Sequence, residues 1–180
     1  MARILLLYTS VYGHTAKIAK RMAERMTALG ATVDAVPLLE RDADPAGYDA
    51  VLIGSSIRNG KHSPKATDFI LRHKSRLDAV PSGFFSVNLV ARKPIKNTPE
   101  TNPYTKAFVA KSPWQPKLLG VFGGDLDYQR YSAFDRNVIR FIMWMTKGPT
   151  DPQTCADYTN WDEVDRFAER FFALAEGRPG

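Results

Sequence analysis

Seven consecutive residues, Thr9-Ser10-Val11-Tyr12-Gly13-His14-Thr15, place hydroxyls at 9, 10 and 15 and a glycine at 13 directly behind an apolar run (ILLLY, 4–8). A phosphate is bound by such a segment when it opens a helix: backbone N–H groups and the positive end of the helix dipole meet the anion, and no lysine is required. The segment lacks both GxxxxGK[ST] and GxGxxG, so it is not a P-loop, and a monophosphate suits it better than a dinucleotide. A plain turn capped by Thr15 is the alternative. A second segment, Gly54-Ser55-Ser56-Ile57-Arg58-Asn59-Gly60, is small enough at its start for a planar ring to approach the backbone, with Ile57 or Arg58 to cover one face. A third, Val87-Asn88-Leu89-Val90-Ala91-Arg92-Lys93-Pro94, brings an amide and two cations, although Asn88 suits a turn as well as a ligand.

These segments share a site only if the chain folds as alternating strands and helices. Arg3–Tyr8 is apolar throughout, as a strand buried on both faces of a parallel sheet must be. Ile18, Met22, Met26 and Leu29 then recur at helical spacing, with Gly30 at the end. Thr32–Pro37 and Ala50–Ile53 read as strands two and three, separated by a turn at Asp44–Gly47. Residues 64–77 read as a helix with Pro64 in its first turn and Phe69, Ile70, His73 and Leu77 on one side. Gly83–Val90 is strand four, Pro99–Ala110 a helix, and Lys117–Phe122 strand five. A short piece at Cys155–Tyr158 precedes a last helix, Trp161–Leu174, capped by Asn160 and carrying Val164, Phe167, Phe171 and Leu174 inward. The pattern predicts one domain over residues 1–180, an α/β fold with a doubly wound, five-stranded parallel sheet. In such sheets ligands bind at the carboxyl ends of the strands, where the three segments emerge.

Residues 124–154 interrupt the rhythm. As a helix, 134–146 gathers Phe134, Val138, Phe141, Ile142 and Met145 on one side and Arg136, Arg140 and Lys147 on the other. With Trp144, and with Tyr128, Arg130 and Tyr131 just before it, this element suits a membrane surface with its basic side toward acidic lipid. A cover over a lipophilic substrate and ordinary core packing are the other readings.

Composition narrows the classes. The chain has 180 residues, a formal net charge of +6 and a sequence pI near 9.5. One cysteine excludes a disulfide framework and any multi-cysteine metal centre, and three scattered histidines suggest no metal site. Cys155 reads as a buried strand residue without a redox role. No signal peptide and no membrane-spanning stretch is evident, so the expected location is the cytoplasm. Arg58–Lys117 holds 12 Lys+Arg against three acids. That block suits an anionic partner, an acidic lipid surface or a carboxylated small molecule; no motif accompanies it that would point to nucleic acid.

Ser10–Thr15 resembles the flavodoxin phosphate loop, (S/T)-x-(S/T)-G-x-T, with Tyr12 in place of the usual hydroxyl residue, and the interruption at 124–154 falls where long-chain flavodoxins carry an insertion in strand five. IGSSIRNGKHSP (53–64), FFSVNLVARKP (84–94), KNTPETNPY (96–104) and YQRYSAFDRNVIRFIMWM (128–145) narrow the likeness. Together they resemble the flavodoxin-like, quinone-dependent protoporphyrinogen IX dehydrogenases of bacterial haem synthesis, from about residue 3 to residue 173. The resemblance implies FMN as cofactor, protoporphyrinogen IX as substrate, a membrane quinone as acceptor and a peripheral place on the cytoplasmic side of the inner membrane. It implies that Ser10, Val11, Tyr12, Gly13, His14 and Thr15 hold the FMN phosphate. Ser55, Ser56 and Ile57, with Asn88, Leu89 and Val90, flank the ribityl chain and ring. Arg58, Lys61, Arg92 and Lys93 become partners for the substrate's propionates. No catalytic acid or base stands out: His14 belongs to the phosphate loop, His62 lies near the ring and His73 packs on its helix. An NAD(P)H:quinone reductase and a flavodoxin-type electron carrier are the competing functions, and a homo-oligomer is left open.

Overall fold

The computed structural model describes residues 1–178. Its centre is a parallel sheet of β1 (Arg3–Thr9), β2 (Thr32–Pro37), β3 (Ala50–Arg58), β5 (Ser82–Asn88) and β6 (Leu118–Gly123), in the order β2-β1-β3-β5-β6. Strand alternation divides the core in two. Ile4 and Leu6 point toward α1 (His14–Ala28) and α6 (Trp161–Ala175), where they meet Ile18, Met22, Val164 and Phe171. Leu5 and Leu7 point the other way, toward Phe69, Ile70 and Leu77 of α2 (Pro64–Arg72) and α3 (Lys74–Ala79), and Phe108 of α4 (Pro103–Lys111) packs on the same cluster. The order reverses between β1 and β3, so their carboxyl ends open the crevice expected of a doubly wound sheet.

Four local expectations are corrected. β3 does not stop at Ile53 but runs to Arg58 and turns back as β4 (Lys61–His62), with Asn59 at φ 52° and Gly60 at φ 74°. Asn-Gly accepts left-handed dihedrals at both turn positions and is a strong hairpin signal, so the second segment is a hairpin rather than a loop. The helix expected over 64–77 breaks at His73, whose φ of −114° ends α2 before α3 begins; its ring lies 4.5 Å from that of Phe69. The helix expected from Pro99 begins at Pro103, because Asn102 accepts hydrogen bonds from the N–H groups of Tyr104 and Thr105 and sets the start there. Cys155, expected to be buried, is exposed.

Beyond β6 the chain makes an excursion. β7 (Asp125–Asp127) and β8 (Cys155–Asp157) pair antiparallel as a separate two-stranded sheet, and α5 (Ala133–Met145) rises between them. Leu126, Tyr128, Tyr131 and Met143 form a small core of their own under α5.

Candidate functional site

The turn after β1 is built as an anion cradle. Gly13 takes φ 93°, a left-handed conformation that side chains resist, and a Cβ placed there would meet open space. Its N–H donates to Ser10 Oγ at 3.1 Å. The first intrahelical bond of α1 runs from Lys17 N to Gly13 O, and no side chain caps the helix, so the N–H groups of His14, Thr15 and Ala16 stand ahead of the ladder. Donors at a helix N-terminus fit a phosphate without further help.

A cleft of about 990 Å³, counting its open mouth, extends from this cradle. Ser10, Val11, Tyr12, His14 and Thr15 line one end, Ser56, Ile57 and Arg58 one wall, and Asn88, Leu89 and Val90 the other. α5 roofs it with Val138, Ile139 and Ile142. The convergence of three distant segments on one crevice is therefore met by most of the expected residues, and the lining is mainly apolar with polar groups at its edges, as ligand sites generally are.

Other expected residues do not line the cleft. Ser55 is fully buried beneath it: its hydroxyl oxygen accepts from Thr9 Oγ1 at 2.9 Å and from Ser63 N at 3.1 Å. Gly54 admits a planar ring, but that ring is Phe85, whose Cζ would lie 2.1 Å from an added Cβ. Arg92 is spent inside the fold, donating to Leu89 O and to both Thr146 O and Thr146 Oγ1. Lys61 is exposed outside the cleft, and half-buried Lys93 has its ammonium pushed down by desolvation and then by neighbouring Arg92, Lys96 and Lys147.

The roof differs from its expected form. Tyr128 and Tyr131 are buried rather than interfacial, and burial pushes the Tyr131 phenol up to about 12. Arg136 donates to Tyr128 O and Tyr131 O, and Arg140 to Thr150 O, so these cations pin loops instead of facing outward. Of the apolar stripe, Val138 and Ile142 turn into the cleft, while Phe134, Phe141 and Met145 are exposed together with Trp144.

Burial lowers the pKa of two histidines near the site. Thr159 donates its hydroxyl to Gly123 O at 2.7 Å, leaving its oxygen to accept from His14 Nε2 at 2.6 Å. That fixes the Nε2–H tautomer and leaves buried Nδ1 without a hydrogen-bond partner, 3.6 Å from Asp125 Oδ2. Burial lowers the His14 pKa against the opposing pull of Asp125 and Asp157. His62 lies within 2.8 Å of Ser86 Oγ, which also accepts from Asn88 Nδ2, and burial pushes its pKa down to about 4.

Sequence reasoning missed Tyr104, Asp125, Tyr131 and Asp135, all in the cleft wall. Asp135 is the most consequential: the residue is buried, and its carboxylate accepts from the Tyr12 hydroxyl and, at 3.1 Å, from Arg58 Nη2. Its one legible signal was Ser132 three residues earlier, whose Oγ accepts from Asp135 N at 3.2 Å and places the acid in the first turn of α5.

The described residues contain no cluster of metal-ligating side chains and no helix long and apolar enough to cross a membrane. Comparison with known proteins agrees with the geometry. Residues 5–153 match the flavodoxin domain model. A short-chain flavodoxin associated with a PDU bacterial microcompartment superposes with a TM-score of 0.57 at 13% identity, covering 99% of this chain and 100% of the other, which shows the shared fold. Protoporphyrinogen IX dehydrogenase (quinone) of Leishmania major is 44% identical over 174 residues, 96% of this chain and 75% of that protein. Its namesake from Escherichia coli K12 is 40% identical over 176 residues, 97% of each chain. With a cradle, cleft and roof that fit this kinship, the chain belongs to the flavodoxin-fold protoporphyrinogen IX dehydrogenase (quinone) family.

Proposed function

We propose that this protein oxidises protoporphyrinogen IX to protoporphyrin IX with FMN as its cofactor and a membrane quinone as electron acceptor. Identity of 40% and 44% over nearly the whole of this chain with two dehydrogenases of that name carries the reading, and the cleft supports it. The N–H groups of His14 and Thr15, with the Ser10 hydroxyl, hold the FMN phosphate at the uncapped start of α1. Ser56, Ile57, Asn88, Leu89 and Val90 flank the remainder of the cofactor, and Ser55 acts from below by fixing Thr9 and the backbone of Ser63. When bound, FMN supplies two-electron redox chemistry, so removal of six electrons from the substrate takes three turnovers.

The chain's own residues position and shield. Arg58, at the cleft wall and half-exposed, takes a propionate of the tetrapyrrole. Lys61 and Lys93 add positive potential at the rim, while Arg92 contributes by tying the turn at residues 89–92 to the end of α5. Val138, Ile139 and Ile142 would exclude water from the roof of the cleft when the cofactor is held there. The outward side of α5, with Phe134, Phe141, Trp144 and Met145 exposed, rests on an anionic lipid surface at the cytoplasmic side of the inner membrane, where quinone is available.

Anaerobic stopped-flow absorbance of the FMN-loaded protein tests the reading. Protoporphyrinogen IX is expected to bleach the flavin band, with porphyrin fluorescence rising and added quinone restoring the colour. Bleaching by NADPH but not by porphyrinogen would replace this function with that of an NAD(P)H:quinone reductase, and bleaching by neither would leave an electron carrier.

A further inference from the structure

Asp135 sits where three distant parts of the chain meet: the cradle through Tyr12, the end of β3 through Arg58, and the first turn of α5 through its own backbone. Both side-chain donors reach the same oxygen, Oδ2. The Asp135 side chain is 5% exposed, whereas that of Arg58 is 54% exposed and keeps further N–H groups for another acceptor. A buried carboxylate deprived of every donor is costly, so exchange of partners at Arg58 is feasible only if Asp135 stays satisfied. It does: the Tyr12 hydroxyl remains, and the N-terminal turn of α5 favours negative charge.

Resting on the substrate reading above, we propose that Asp135 is a built-in competitor for the substrate's carboxylate. In the free protein it occupies Arg58 and holds the start of α5 over the cleft; an incoming propionate takes its place on Arg58, while Tyr12 retains the displaced carboxylate. One anion replaces another on the same guanidinium, so the net charge of the wall is unchanged apart from the ligand's own. The exchange couples carboxylate recognition to loss of the Arg58 tie on α5, while the Tyr12 tie persists. Asp135 and Tyr12 are thus positioning residues that set how strongly Arg58 selects a carboxylated tetrapyrrole over an uncharged one.

Fluorescence titration of the FMN-loaded protein with protoporphyrin IX and with its dimethyl ester reads that selectivity as a ratio of affinities. Wild type is expected to prefer the diacid. Asp135→Asn removes the competitor and raises the preference about threefold to tenfold; Tyr12→Phe strands the displaced carboxylate and lowers it by a similar factor. Arg58→Gln brings the ratio close to one. A merely structural role for Asp135 and Tyr12 moves both ligands together in both variants, and that result overturns the proposal. If Asp135→Asn fails to fold, a Tyr12→Phe ratio equal to wild type overturns it as well. Wild type that binds neither porphyrin sinks the substrate reading and this proposal together, whereas a diacid preference without opposite shifts in the two variants sinks this proposal alone.

Discussion

The central sheet and the excursion after β6 are held by different forces. In the sheet, Ile4, Leu5, Leu6 and Leu7 are all fully buried, alternating between two apolar layers, and the strand has no face to spare. In α5 only Asp135 and Met143 are buried; Phe134, Phe141, Trp144 and Met145 face outward. Polar atoms do much of the holding there: Arg136 and Arg140 grip loop carbonyls, Arg92 grips Thr146, and Asp135 joins Tyr12 to Arg58. An element anchored through its polar side keeps its apolar side for ligands and surfaces. The difference leaves on α5 an apolar surface that the sheet does not spare.

Substitutions should separate the two regions by size of effect. Gly54→Ala strikes the sheet, where the new Cβ would lie 2.1 Å from Phe85 Cζ between β3 and β5. Overpacking of this kind is expected to cost about 3 kcal/mol, read as a Tm lower by roughly 6–12 °C in calorimetry. A Tm within a degree of wild type would show that Phe85 has room to move and that the sheet is less tightly packed than its burial implies.

An effect of similar size comes from pH. His62 is buried against Ser86 with its pKa pushed down to about 4, whereas the unfolded chain protonates near the ordinary 6.5. Between those values the unfolded state binds the extra proton, so stability falls as pH drops from about 6.5 to about 4 and loses no more through this group below that. The loss amounts to about 3 kcal/mol. Urea denaturation across this window should show the slope in wild type and a shallower one in His62→Gln; equal slopes would mean that His62 is not the titrating group.

How much of this was legible in the sequence follows the same division. The sheet announced itself, since strands buried on both faces must be apolar throughout, and Thr32–Pro37 has the expected bounds. The cradle was equally local: Ser10 to Thr15 contains its own turn and helix start. The Asn59-Gly60 hairpin was written in the sequence but hidden by reading Gly54–Gly60 as one loop. The partners of Asp135 were hidden for a different reason. They lie 123 and 77 residues away, and no spacing rule connects a first-turn acid to a tyrosine in the cradle. The orientation of α5 was half legible: periodicity showed two unlike sides, but Arg136 and Arg140 turned to backbone carbonyls that no pattern marks.

The smallest effect on stability should come with the largest effect on docking, at Phe141. The residue is 57% exposed, with its ring centroid 6.1 Å from that of Trp144, so Phe141→Asp removes little native burial. Stability is expected to change by no more than about 0.5 kcal/mol. On a lipid surface the same change exchanges an inserted aromatic ring for a carboxylate, which loses apolar contact and repels anionic headgroups. Sedimentation with phosphatidylglycerol-containing vesicles should therefore weaken about tenfold while the FMN content stays at wild-type level, because Phe141 does not line the cleft. Salt sharpens the test: residual binding carried by Lys93, Lys96 and Lys147 should fall further as ionic strength rises. Unchanged sedimentation would assign the outward side of α5 to a protein partner or a second copy of the chain, and the polar anchoring of the excursion would then serve an interface of a different kind.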